Sequence, residues 1–307
     1  MEQISQKNPV SFEHPLKGGT RLRTGIGKTA LDALDRILHR GESASALPIT
    51  QEEMEDTLHE AIQSALASHL SHQIGGGFIG ENGQETGRFV IGFDESDTAY
   101  RPWLKHVCAK IGRRDQRPMS QEIRIHQAVE ERMRQRSIED IFIPIPIVCM
   151  EHVSEQEDAF VMERLPSNHA NGTLQTMMNN YRNKGLIFLL SDAVREKILF
   201  GIESFHECGL LHGDLKDNLG NIYLKTTQTM LATPAKGKPL LYLYDVDMVG
   251  FLDLERAVVL DHPAKARDQQ RLEAKYLMAS LPPSVDADPD DPASLIDAYA
   301  SSKTRKL

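Results

Sequence analysis

The side chains able to do chemistry concentrate in two stretches. The first runs from Gly209 to Asp245. It holds His212-Gly213-Asp214-Leu215-Lys216, then the amides of Asn218 and Asn221, a short apolar run, and Asp245 at the end of a second apolar run. Phosphoryl transfer is the chemistry to test on such a set. That reaction needs positioning, charge neutralisation and an oriented hydroxyl more than it needs covalent help. The second stretch, residues 73–94, carries Gly75, Gly76, Gly77, Gly80, Gly83 and Gly87 ahead of a short strand, Arg88 to Phe93. Glycine is required where a backbone must approach a phosphate closely. A nucleotide-covering hairpin and a plain β-turn both fit it. Beyond it lies Lys110, inside the apolar segment His106 to Ile111. An ammonium buried without a partner is costly, so a carboxylate is expected beside it. Glu122 is the candidate, with Lys105 as the alternative lysine and Glu130 or Glu131 as alternative acids.

The elements that must position these groups follow from periodicity. Leu31, Leu34, Ile37 and Leu38 form a helical stripe, and Met54, Leu58, Ile62, Leu66 and Leu70 form another. Gly41 and Pro48 separate them. Gly25-Ile26-Gly27-Lys28-Thr29 reads like the end of a phosphate-binding loop. Leu22 stands where that pattern needs glycine, and the preceding residues are too polar for a buried strand, so a turn leading into a helix is the better reading. Residues from Ser120 read as a helix. Residues 141–165 give two strands, with prolines marking an edge or bend. Residues 188–208 read as a long helix with Leu190, Val194, Ile198, Ile202 and Phe205 on one face. Ser191 is its N-cap and Gly209 its stop. The tail from Pro282 is acidic and rich in proline, the composition of a mobile arm.

Taken in order, these segments resemble the protein-kinase-like superfamily. Val107-Cys108-Ala109-Lys110 resembles its lysine strand, and Val161-Met162-Glu163-Arg164-Leu165 its hinge. His212-Gly213-Asp214-Leu215-Lys216 resembles its catalytic loop, and Gly75 to Gly80 partly its glycine-rich loop. The resemblance covers roughly residues 73–280. It implies ATP and Mg²⁺ as cofactors. Asp214 would orient the acceptor hydroxyl and Lys216 would contact the γ-phosphate. Asn221 and Asp245 would hold the metal, with Asn218 as the alternative amide. Lys110, paired with Glu122, would hold the α- and β-phosphates. Gly75, Gly77 and Gly80 would cover the phosphates. Met162 would back the adenine, and the backbone of Glu163 and Leu165 would bond its edge. His212 and His206 would be structural. Asp268, in Arg267-Asp268-Gln269-Gln270-Arg271-Leu272, would brace the catalytic loop.

The implied fold is α+β and two-lobed. A helical N-terminal extension (1–72) precedes a small antiparallel-sheet lobe with the hinge (73–166). A reduced helical lobe (167–281) and a flexible tail (282–307) follow. The departures from the pattern bear on the acceptor. The Asn is displaced, Gly213 replaces an arginine, and Asp245-Val246-Asp247 replaces D-F-G. The last two features resemble the aminoglycoside-phosphotransferase-like and lipopolysaccharide-kinase-like branches. Lys216 instead resembles Ser/Thr protein kinases of compact bacterial type, with an injected effector as one setting. The resemblance thus implies a protein substrate first and a small-molecule acceptor (sugar, antibiotic or lipid head group) second. A pseudokinase that binds partners through its N-terminal helices is the third reading.

Bulk properties narrow the class. The chain has 307 residues, 26% charged and 40% hydrophobic, and a net charge of −9. That balance fits a globular protein and argues against nucleic acid as a partner, since no excess basic surface can neutralise phosphates. No apolar run approaches a membrane span. The N-terminus lacks the apolar core of a signal peptide, so a cytoplasmic location is expected. Cys108, Cys149 and Cys208 have neither disulfide nor metal-ligand spacing and read as buried thiols.

Overall fold

The computed structural model describes residues 21–23, 30–39, 49–67, 73–76, 88–93, 101–114, 119–138, 141–166, 171–215, 218–260 and 263–304. The chain is α+β and divides into two units. One comprises Met1–Gln127 with Pro144–Leu165, the other Ala128–Ile143 with Pro166–Leu307. Among the described residues no helix is long and apolar enough to cross a membrane.

Unit 1 is built on an antiparallel sheet of β1 (Arg21–Arg23), β2 (Gln73–Gly76), β3 (Arg88–Ile91), β4 (Val107–Arg113), β6 (Pro146–Glu151) and β7 (Glu157–Glu163), in the order β1-β6-β7-β4-β3-β2. Side chains alternate between its two faces, as the strand period requires. On one face Val107, Ala109 and Ile111 of β4 join Val148 and Met150 of β6 and Ala159 and Val161 of β7. The helices α1 (Ala30–His39) and α2 (Gln51–Ala67) cover that face with Leu34, Met54, Leu58 and Ile62, all fully buried. On the opposite face Cys149 and Phe160 pack with Met119 and Ile123 of α3 (Met119–Gln135). The two N-terminal helices are therefore part of the unit's core and not a separate extension. Their apolar stripes lead one to expect packing on each other or on the next domain, and the sheet is what they cover.

Unit 2 carries a larger sheet than the sequence reading provides for. Its strands are β5 (Ile141–Phe142), β8 (Asn171–Thr173), β9 (Ile187–Ser191), β11 (Ile222–Ala232), β12 (Leu240–Phe251) and β14 (Ser284–Val285). The order is β14-β9-β12-β11-β8, with β5 alongside β12. Its helices are α4 (Leu174–Asn183), α5 (Asp192–Glu207), α6 (Pro263–Ser280) and α7 (Pro292–Thr304). β10 (Leu210–Leu211) pairs with β13 (Val258–Val259). The helix expected over 188–208 starts later than expected, at Asp192. Ile187–Ser191 lies parallel to β12 on one side and to β14 on the other. A strand enclosed in this way reads as a continuous apolar run, without polar spacing to separate it from a helix. Ser191 caps α5 by accepting the Val194 N–H at 3.0 Å, and Gly209 closes it with φ +72°.

The tail is the clearest correction. It was expected to be mobile, yet Val285 and Leu295 are buried in a core with Leu189, Leu240 and Tyr242. The Tyr242 hydroxyl donates to the Val285 carbonyl at 3.2 Å.

Candidate functional site

In unit 1 the β4–β7 register sets Cys108 opposite Met162 and Lys110 opposite Phe160. All four therefore lie on the face that α3 covers. Glu122, in the first turns of α3, meets Lys110 there, with Oε1 2.8 Å from Nζ and both side chains under a tenth exposed. The expected pairing is present. The alternatives are elsewhere: Lys105 is exposed, and Glu131 pairs with Arg134 on the outer surface of α3. A buried ion pair adds little stability over apolar side chains of the same volume, which turns attention to function.

Met162 is half-buried against the α3 core. Glu163 departs from expectation. Its backbone N–H donates to the Ile145 carbonyl at 2.9 Å, and its carboxylate accepts the Ile145 N–H at 3.1 Å. The backbone N–H thus serves the fold and is not available to a base edge. The Glu163 carbonyl accepts the weak Cys108 thiol donor at 3.7 Å. Leu165 is half-buried at the end of the unit. All three cysteines are buried and free, and burial pushes the Cys108 thiol up to about 12. Gly75 lies in β2, paired with Val90 of β3. Gly77 and Gly80 fall outside the described residues, as do Lys216 and the Gly25–Thr29 segment.

In unit 2 the Asp214 carboxylate is held from three sides. Asn218 Nδ2 and Asn221 Nδ2 each donate to its Oδ2 at 3.1 Å, and Arg256 Nη1 meets its Oδ1 at 3.2 Å. Asn221 Nδ2 also donates to the Asp214 carbonyl at 3.1 Å. Asn221 is buried at the start of β11, so one end of a rigid strand positions the loop. The structure brings both amides to the same carboxylate. Asn221 has the stronger backbone anchor, because its carbonyl accepts the Leu252 N–H at 2.8 Å.

The loop is braced from behind. His212 is fully buried, with its Nε2 2.8 Å from the Leu252 carbonyl and its ring among Phe205 and Phe251. Burial lowers its pKa. The expected brace, Asp268, is exposed. Glu273 does the bracing instead. It accepts the His212 N–H at 3.1 Å, the Gly213 N–H at 2.6 Å and His206 Nε2 at 2.9 Å. Gln270 adds bonds to the His206 and Leu210 carbonyls. Spacing could have found this brace, for Ala266, Gln270, Glu273 and Leu277 form one helical stripe that excludes position 268.

Gly213 explains the missing arginine. It has φ +81°, and a Cβ there would lie 2.5 Å from the Arg256 carbonyl oxygen. Gly213→Ala is therefore expected to destabilise unit 2 by about 1–3 kcal/mol, from left-handed strain and displaced backbone together. Urea denaturation of the variant checks this, and an unchanged midpoint would refute it.

Asp245 is the site residue that the structure moves away from the rest. The β11–β12 register sets Ile222 opposite Phe251 and Gln228 opposite Asp245. At the rise of a strand, Asp245 is then roughly 20 Å along the ladder from Asn221, too far for both to ligate one ion at about 2.1 Å. Asp245 and Asp247 are exposed around buried Val246, and Asp247 pairs with Lys225 at 2.7 Å. The acid next in sequence to the strand end bonded to Asn221 is Asp253. It follows Leu252, which is bonded to Asn221, and is held at φ +54°. The segment Asp253-Leu254-Glu255 thus follows the residue bonded to Asn221, which Asp245-Val246-Asp247 does not.

No family model matches the chain, and no curated protein matches it. The solved structure described as "WaaP in complex with acyl carrier protein" is similar over 72% of this chain and 83% of its own, at 15% identity and a TM-score of 0.36. At that distance the likeness decides neither family nor activity.

Proposed function

We propose that the chain is an ATP- and Mg²⁺-dependent phosphotransferase acting on a hydroxyl group. The observation that carries this reading is the Asp214 arrangement. A carboxylate on a braced loop is oriented by two amides, with a second acid, Asp253, beside the same amide-bearing strand end. Asp214 would take or orient the acceptor's proton. An arriving hydroxyl would compete with Arg256 for Oδ1, and Arg256 is exposed enough to yield.

Asp253 and Asn221 would hold Mg²⁺. Carboxylate and amide oxygens are the hard donors that this ion takes, and Asn221 has its Nδ2 committed to Asp214, leaving Oδ1 as the ligand end. Bound there, the ion would neutralise charge on the transferring phosphoryl group. Lys110, oriented by Glu122, would contact phosphate oxygens, and the Glu163 carbonyl would accept from the base.

The acceptor is better read as a small molecule than as a peptide. Only residues 254–262 separate Asp253 from α6, and the described ones among them, 254–260, hold a 3₁₀ turn and the two-residue β13. Among the described residues that connection offers no extended segment on which to lay a polypeptide. The Ser/Thr protein kinase reading rests on Lys216 and on the hinge-like run Val161 to Leu165.

The test is transfer of label from γ-labelled ATP with Mg²⁺, using a panel of sugars, lipid head groups and aminoglycosides beside a protein lysate. Asp214→Ala is expected to lower turnover by about 10²–10⁴-fold while leaving the nucleotide-induced thermal shift in place. A wild-type protein with neither transfer nor a nucleotide shift would overturn the proposal.

A further inference from the structure

A cavity of about 290 Å³ opens on unit 2, at the lower end of the size range for small-molecule sites. None of its lining residues is among those assigned to phosphoryl transfer. One wall is a stripe of α4, where Gln175, Met178, Asn179 and Arg182 recur at helical spacing. The remaining surface is largely apolar, with Leu186, Phe188 and Pro283 in contact with the space. Two cations, Arg182 and Lys238, stand at it, and no acid is among its described lining residues. In a chain of net charge −9, an apolar cavity with two cations and no carboxylate is an unusual local field.

The other side of α4 is already used. Leu174 and Met177 are buried in the unit, so the stripe that faces the cavity is not needed for the core. Gln175 Nε2 donates to Asn179 Oδ1 at 3.0 Å. This fixes the Asn179 amide with its Nδ2 donor uncommitted by that bond. Among the described residues neither Arg182 nor Lys238 pairs with a carboxylate.

We propose that this cavity is a binding site for a small amphipathic anion, an alkyl or aryl chain bearing a phosphate or carboxylate. The carbon walls would take the apolar body, and the two cations would take the head group. Arginine suits that role because its planar fork matches a phosphate or carboxylate with two parallel bonds. Neither half of the ligand should suffice. The cations are exposed, so a bare anion gains little from them against water, and the open cavity gives an uncharged chain no orientation.

Isothermal titration of the full chain tests this with octyl phosphate, octanoate, octanol and inorganic phosphate, in the presence of saturating Mg²⁺–ADP to keep nucleotide sites filled. Octyl phosphate or octanoate should bind at least tenfold more tightly than either octanol or inorganic phosphate. The stronger of the two identifies the head group. The Arg182→Gln/Lys238→Gln variant, altered only at exposed positions, should weaken that binding by at least tenfold, and Leu186→Ser should weaken it as well. Octanol binding as tightly as the anions, an unchanged affinity in the double variant, or no binding of either anion would each overturn the assignment.

Discussion

Asp253→Asn is expected to lower Mg²⁺-dependent phosphoryl transfer by roughly 10³-fold, while Asp245→Asn changes it by less than about twofold. The first figure corresponds to about 4 kcal/mol, in the range that one ionic metal ligand contributes to a developing phosphoryl charge. The contrast follows from strand register. Asp245 sits opposite Gln228 on a solvent-facing position of β12, far along the ladder from Asn221. Asp253 follows the residue bonded to the Asn221 carbonyl. Steady-state rates over a Mg²⁺ titration separate the two. Asp253→Asn should also lose the part of the nucleotide thermal shift that requires Mg²⁺, and Asp245→Asn should keep it. The reverse pattern would return the metal to the position first read from sequence and would mean that β12 pairs in a different register.

Why the sequence led to Asp245 has a physical answer. Leu240 to Tyr244 is an apolar run, and an acid at its end looks like the end of a strand. The strand in fact continues to Phe251, and across Asp245 to Asp247 only one of its faces is buried. Asp245 and Asp247 are exposed, and Val246 between them is buried. That is the period-two alternation of a half-buried strand, visible in Asp245-Val246-Asp247-Met248. The partner strand hid it further, since Thr226, Gln228 and Thr229 are polar and sit at register shifts. The catalytic-type loop was legible because its chemistry is local: Asp214, Asn218 and Asn221 are close in sequence as well as in space.

Lys110 and Glu122 were legible for another reason. An ammonium in an apolar strand demands a partner, and the following helix offered one. Long-range pairing left no such trace. The tail shows a signal that composition overrode. Asp291 accepts the Ala293 N–H at 2.9 Å, and Pro292 opens α7, an acid followed by proline at a helix start. The acidic, proline-rich count obscured the two apolar residues, Val285 and Leu295, that dock it.

Glu273→Ala is expected to cost about 3–5 kcal/mol of stability and most of the activity with it. The side chain is nearly buried and accepts from His206, His212 and Gly213. Its removal strands buried donors that have no water to turn to. Two of them are the backbone N–H groups immediately before Asp214, so the loop that carries the carboxylate loses its support as the fold weakens. The pH dependence distinguishes this residue from a generic core position. Burial by itself would push the Glu273 carboxyl up, but the hydrogen bonds from His206, Gly213 and His212 outweigh it and hold the pKa below its ordinary 4.5. The unfolded chain therefore takes up the proton first. The stabilisation is fully present above about 4.5 and is lost as pH falls below it. His212 acts in the same direction from a higher starting point, since burial holds its imidazole below the ordinary 6.5. Denaturation midpoints of the wild type should thus begin to decline below about pH 6.5 and decline again below about 4.5. Glu273→Gln keeps an acceptor for one N–H but not the titrating group. It should start less stable than the wild type and lose the lower step while retaining the upper one. A lower step of undiminished size in Glu273→Gln would assign the acid sensitivity to other carboxylates and remove Glu273 from its place as the brace of the Asp214 loop.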